Sequence, residues 1–161
     1  MKIVFCGTSE FAAPILKAIT STIDWTVALV VSEPAKPSGK KKLLSPSPVA
    51  QAARELGLNL VTPTSIRDVK ADIVALDPDV MIIVAYGQIL PLEIINIPKF
   101  KTVNVHPSLL PKLRGSSPIQ AALARGFTQT GVSLMVIDEK VDHGPVISQE
   151  ALAIGDGDTY L

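Results

Sequence analysis

Cysteine is nearly absent from this chain: Cys6 is the single one among 161 residues. It can neither form an internal disulfide nor build a zinc site alone, which excludes a disulfide-stapled scaffold and a cysteine-rich zinc module. Aromatic residues are scarce, at 4%, and neither sign of charge predominates, with 15 Lys plus Arg against 15 Asp plus Glu. A formal net charge of zero gives no global field towards nucleic acid or anionic lipid, so any such binding must come from a local patch. Long hydrophobic runs are missing too. The longest, at 25–31 and 80–86, cover about seven residues each, against about 20 for a membrane span. The start, MKIVFCG, carries no cleavage pattern, so no signal peptide is expected. Apolar residues make up 47%, and a domain of this size buries about 70% of its unfolded surface. A single cytosolic globular domain is expected, cytoplasmic and monomeric, with no membrane association.

Short apolar runs alternate with helical patterns. Residues 2–6, 26–31, 58–61, 80–85 and 102–106 read as strands, rich in Val and Ile and largely apolar on both faces. Such strands sit inside a parallel sheet covered on both sides. Residues 10–20, 48–56, 65–76 and 118–125 read as helices, with Ser9 as a candidate N-cap, Pro48 at an N1-like position after Ser47, and Gly57 and Gly126 past helix ends. Residues 130–138, with alternating polarity, and 146–154 read as two further strands. The β-α-β order predicts a Rossmann-like α/β fold: an open, mostly parallel twisted sheet with helices on both faces.

The first strand-to-helix turn, FCGTSEFA at 5–12, has Gly7 but lacks the three-glycine spacing of a dinucleotide site. A tight turn is therefore favoured over nicotinamide binding. Residues 33–48, EPAKPSGKKKLLSPSP, break the pattern. Pro34, Pro37, Pro46, Pro48 and Gly39 predict a long irregular surface loop, and Lys36, Lys40, Lys41 and Lys42 outweigh Glu33. A solvated connection and a phosphate-binding arm both fit this composition.

The strand around TVNVH carries the chemistry. Period-two alternation puts Asn104 and His106 on one face, about 6.5–7 Å apart, with Pro107 ending the strand. An amide and an imidazole at the carboxyl edge of a parallel sheet can donate to a developing oxyanion or relay a proton. A structural strand end, with both side chains bonded to nearby backbone, is the plain alternative. Asp142, in the turn after the strand ending near Asp138, can reach the same edge if the two strands are neighbours. Asn, His and carboxylate together suit acyl or formyl transfer to an amine supplied by the substrate. Hydrolysis through Ser108 lacks a nucleophile-elbow context. A metal site of His106, Asp142 and His143 has no spacing signature, and His143 reads as exposed and outside the chemistry.

The stretch NVHPSLLPKLRGSSPIQ at 104–120 resembles the signature of the 10-formyltetrahydrofolate-dependent formyltransferases. FCGTSEFA at 5–12, KPSGKKKL at 36–43, AYGQILP at 85–91, TGV at 130–132 and DHG at 142–144 extend the likeness over nearly the whole chain. The resemblance implies that Asn104, His106 and Asp142 are catalytic. It also implies that Ser108, Leu109, Leu110 and Pro111 contact the folate, with Tyr86, Gly87, Ile89, Leu90, Asp138 and Val141 bordering the pterin. The Lys-rich insertion is similar to one that contacts a tRNA acceptor end, so Lys36, Lys40, Lys41, Lys42 and Arg114 are expected on RNA. The implied donor is 10-formyltetrahydrofolate with no metal, and the implied acceptor is initiator methionyl-tRNA. An amino sugar nucleotide as acceptor, or a silent folate-binding fragment, are the alternatives. The chain departs from the family's usual Gly and Thr at Lys140 and His143. The family also carries further helices and a C-terminal tRNA-binding β-barrel. DGDT at 156–159 reads as a helix start, so a truncated catalytic domain is expected.

Overall fold

The computed structural model describes residues 1–39 and 42–160. Lys40 and Lys41 lie outside the described residues. The chain forms two compact units, Met1–Thr102 and Val103–Leu161.

In the first unit the elements run β1 (Lys2–Gly7), α1 (Ala12–Thr20), β2 (Thr26–Val31), β3 (Lys36–Ser38), β4 (Leu43–Ser45), α2 (Pro48–Glu55), β5 (Leu60–Val61), α3 (Lys70–Leu76), β6 (Val80–Val84) and α4 (Leu92–Ile95). Strand β1 lies between β2 and β6, parallel to both, and β5 adds parallel to the far side of β2. The spatial order β5-β2-β1-β6 is that of one half of a Rossmann sheet. Ile3, Val4, Phe5 and Cys6 are all fully buried, so both faces of β1 are covered, as its unbroken apolar sequence predicts. Burial pushes the Cys6 thiol well up, which makes it an inert core side chain.

Gly7 shows why the first turn is tight. A Cβ there would stand 2.7 Å from the Phe5 ring and 3.0 Å from the Val84 carbonyl oxygen. The glycine serves close packing of strand against strand, which fits the structural turn and not a pyrophosphate cradle.

Several expectations need correction. Ser9 does not cap α1; the helix begins later, after Phe11, and has no side-chain cap. Ser47 does cap α2, its Oγ accepting from Ala50 N at 3.0 Å with Pro48 at the first position. The helix expected over 65–76 divides into a 3-10 segment, Ile66–Val69, and α3. A capping box opens the 3-10 segment, in which Asp68 Oδ2 accepts from Ser65 N at 3.1 Å. The largest difference is the Pro-rich segment. Strands β3 and β4 pair antiparallel, Pro37 opposite Leu44, in a hairpin of their own. A two-stranded ribbon has an edge on each strand, where a missing N–H costs no ladder bond. Lys42 N donates to Gly39 O at 3.1 Å, and positive φ values of 68° at Gly39 and 47° at Lys42 close the turn.

Strand β7 (Lys101–His106) leads into the second unit, followed by α5 (Pro118–Ala124), β8 (Gln129–Val136) and β9 (Val146–Ala153). Strands β7 and β8 pair antiparallel, as do β8 and β9. The alternation expected for β8 is present: Gly131, Ser133 and Met135 are buried while their neighbours are half-buried. Residues 156–159 do not open a helix. Asp158 closes a turn instead, its carboxylate accepting from Gly155 N at 2.9 Å and its own N–H donating to Gly155 O at 3.1 Å. Among the described residues no helix is long and apolar enough to cross a membrane.

Candidate active site

Asn104 and His106 share one face of β7, as period-two alternation requires, and both reach Asp142. Asn104 Nδ2 donates to Asp142 Oδ1 at 3.4 Å, and His106 Nδ1 stands 3.6 Å from the same oxygen. The second distance exceeds a hydrogen bond but leaves the ring and the carboxylate in direct electrostatic contact. Catalytic contacts are commonly this long before substrate binds. His106 is 4% exposed, and the Asp142 side chain 12%.

Asp142 gets there through the turn between β8 and β9. Strand β8 lies beside β7, with His106 opposite Ser133. Gly144 admits the chain where a Cβ would stand 1.9 Å from the Val136 carbonyl oxygen. Asp142 itself has φ 48°, a conformation that costs a non-glycine residue of order 1 kcal/mol and clusters at functional sites. Its Oδ2 accepts from Gly115 N at 2.8 Å, which orients the carboxylate.

The far side of the imidazole is also held. His106 Nε2 lies 3.0 Å from Leu113 O, and a carbonyl only accepts, so Nε2 is the donor. That leaves Nδ1 aimed at Asp142. Leu113 has φ 55°, a second left-handed non-glycine residue at this site.

The 108–111 segment is tied down by hydrogen bonds of its own. Ser108 Oγ donates to Lys112 O at 2.7 Å, and Ser133 Oγ donates to Ser108 O at 2.6 Å. Ser108 and Leu110 are buried and Leu109 is half-buried, so Ser108 is no free nucleophile. In the following turn, His143 Nδ1 and Asp138 Oδ2 are 2.8 Å apart, and Lys140 N donates to Asp138 Oδ1 at 2.9 Å. These two bonds, the imidazole first, hold the Asp138 carboxyl below its usual range. His143 is half exposed, as expected, and paired with Asp138. Val141 is exposed and so is Arg114.

The remaining expected residues belong to the first unit. Tyr86 is buried, its hydroxyl without a hydrogen-bond partner among the described residues, and burial pushes that hydroxyl well up. Ile89 is exposed, Leu90 half-buried, and Gly87 has φ 92°. Lys36 is not a free cation, since its Nζ pairs with Glu33 at 2.8 Å. Lys42 is exposed.

Four residues at the site were not anticipated: Leu113 and Gly115, which act through backbone groups, and Ser133 and Gln149. Backbone partners leave no mark in residue type. Ser133 does leave one, as a hydroxyl at a buried position of β8 between Gly131 and Met135. A cavity of about 310 Å³ in the same unit, lined by Leu109, Leu113, Phe127 and Thr130 among others, does not include the Asn-His-Asp cluster. Among the described residues no group of three or more His, Cys, Asp or Glu is placed to hold a metal ion.

A half-Rossmann sheet and, in the second unit, antiparallel strands carrying a buried His-carboxylate pair define the class: a Rossmann-like α/β domain. The chain belongs to the formyl transferase family, whose model matches residues 1–160. It is 45% identical, over 99% of its length, to the methionyl-tRNA formyltransferase of Hydrogenobaculum sp. (strain Y04AAS1), and covers 52% of that protein. The corresponding enzyme of Methylococcus capsulatus is 44% identical, with 99% and 52% covered. The chain thus spans about half the length of the curated relatives it matches. Among solved structures, a phosphoribosylglycinamide formyltransferase from Anaplasma phagocytophilum superposes with TM-score 0.78 at 20% identity, over 99% of this chain and 75% of that one. A formyltetrahydrofolate deformylase from Pseudomonas syringae gives 0.73 at 21%, over 98% and 53%. Likeness at that identity establishes the shared Rossmann-like fold.

Proposed function

We propose that this chain is the catalytic part of an enzyme that moves a formyl group from 10-formyltetrahydrofolate to the amino group of initiator methionyl-tRNA. The observation that carries the reading is the convergence of Asn104 Nδ2 and His106 Nδ1 on one oxygen of Asp142. The chemistry needs two donors for an oxyanion and one acceptor for a proton, and all three stand together here. The amine lone pair attacks the formyl carbon, and the carbonyl π pair moves to oxygen. Asn104 and His106 donate to that oxygen. With Nε2 spent on Leu113 O, His106 acts through Nδ1. Asp142 then takes the proton that the amine loses. The oxyanion pair then re-forms the carbonyl as the bond from carbon to N10 breaks, and the pair that goes to N10 takes the proton held by Asp142.

In this reading Ser108, Leu109, Leu110 and Pro111, with Asp138 and Val141, serve the folate, as do Tyr86, Gly87, Ile89 and Leu90. The hairpin lysines and Arg114 serve the RNA. Support for the acceptor comes from the relatives at 42–45% identity named methionyl-tRNA formyltransferase.

Preorganised donors of this kind are each worth about 3–4 kcal/mol of barrier. His106→Ala and Asp142→Ala, in the full-length protein, are each expected to lower turnover at least about a hundredfold in a methionyl-tRNA formylation assay. Near-normal turnover in either variant removes the cluster from the mechanism. Efficient formylation of an amino sugar nucleotide in place of methionyl-tRNA would overturn the acceptor.

A further inference from the structure

Ser133 is fully buried on β8, and its hydroxyl is saturated. It donates to Ser108 O at 2.6 Å and accepts from Leu110 N at 3.1 Å and from Gln149 Nε2 at 2.8 Å. A hydroxyl has one hydrogen to give and two lone pairs to receive, so every position is used. Gln149, on β9, spends its second amide hydrogen on Leu110 O at 2.9 Å. Two side chains from two neighbouring strands therefore grip both polar groups of Leu110 and the carbonyl of Ser108.

That grip lies on the segment that continues to Leu113, whose carbonyl holds His106 Nε2. The segment's other hydrogen bonds are local, from Ser108 Oγ to Lys112 O at 2.7 Å, from Lys112 N to Leu109 O at 3.1 Å and from Ser108 N to His106 O at 2.9 Å. It belongs to no helix or strand, and Leu113 sits at φ 55° where an unconstrained leucine relaxes away. Strand β8 pairs with β7 through Ser133 opposite His106, so the anchor and the imidazole share one rung of the sheet.

We infer that Ser133 and Gln149 are positioning residues that set the height of the His106 imidazole by fixing the 108–113 segment against β8 and β9. The inference rests on the proposed formyl transfer for its kinetic consequence, but not for its structural one. Neither side chain touches the Asn104-His106-Asp142 cluster by any bond described above. Their effect on chemistry runs through Leu113 O, and a displacement of about 1 Å at a reacting group costs on the order of a hundredfold in rate.

Gln149→Glu is the discriminating variant. It keeps the size of an exposed strand residue but replaces both donated hydrogens with a carboxylate that faces Leu110 O. Ser133→Thr keeps the hydroxyl, while Ser133→Ala removes it and leaves Leu110 N unpaired. Two measurements are made on the full-length protein: steady-state kinetics of formyl transfer, and the 15N resonances of the His106 ring. Gln149→Glu and Ser133→Ala are expected to lower kcat about tenfold to a hundredfold and to raise KM for the folate, whose proposed binding segment they loosen, with KM for methionyl-tRNA within about twofold. Both should also move the His106 Nε2 signal, and Ser133→Thr should restore kcat and signal towards the parent. An unmoved Nε2 signal in Gln149→Glu overturns the positioning role, whatever the assay shows. A moved signal with kcat unchanged overturns its catalytic relevance. If the parent protein transfers no formyl group at all, the proposed function fails by itself, and the ring signal still decides whether these residues hold His106.

Discussion

Two residues carry the strain and charge that make the site and its surroundings testable one side chain at a time. Asp138 is held in its ionised form by His143 and by the Lys140 N–H, so its folded pKa lies below the unfolded value of about 3.9. A group shifted in this direction adds stability above its unfolded pKa and loses it as pH falls through the folded one. Order in the 138–143 turn is therefore expected to persist down to about pH 4 and to fail below it. A pH titration of the Asp138 carboxyl carbon by NMR reads this directly, and Asp138→Asn should remove the transition. Gly87 has φ 92°, and a Cβ there would lie 3.0–3.2 Å from the Glu33 carboxylate. Gly87→Ala should cost about 1–3 kcal/mol in urea unfolding, mostly from the backbone conformation. Adding Glu33→Ala should recover only the smaller, steric part. Full recovery would place the cost in the contact and not in φ.

Elements divide into those decided by hydrophobic period and those decided by partners. The apolar runs of β1, β2 and β6 and the polar alternation of β8 were legible because burial on two faces or one leaves a direct imprint on residue type. The hairpin of β3 and β4 was not legible. Its prolines argue against a central strand, but only pairing of the two arms with each other makes every position an edge position. Helix α1 likewise lost its expected serine cap, because Ser9 is taken into the turn, its hydroxyl buried. Packing decides the worth of these elements. Leu16 in α1 is fully buried, and Leu16→Ala should cost about 2–5 kcal/mol in a denaturant titration. Val74 in α3 is 53% exposed, and Val74→Ala should change stability by no more than about 0.5 kcal/mol.

At the scale of the whole molecule the net charge is zero, so RNA affinity has no general field behind it. If the hairpin carries that affinity, each lysine that neutralises a phosphate adds about 0.7–0.9 to the slope of log K against log salt. Replacing Lys40, Lys41 and Lys42 by Ala should flatten the slope for methionyl-tRNA by about two to three units, with folate binding unchanged. An unchanged slope would leave the hairpin a plain connection. Lys36 should contribute less than the others, since Glu33 already neutralises it. Composition and period, read along the chain, determined the α/β class, the succession of the main strands and helices along the chain, and that Asn104 and His106 share one face of β7. Those are local consequences of which residues can bury which face. That Asp142 joins them, that Leu113 and Gly115 hold the pair through backbone groups, and that Ser133 and Gln149 anchor the segment between were decided only by folding. Each depends on strand register and on chain segments up to 39 residues apart meeting at hydrogen-bond distance, which no spacing in the sequence encodes.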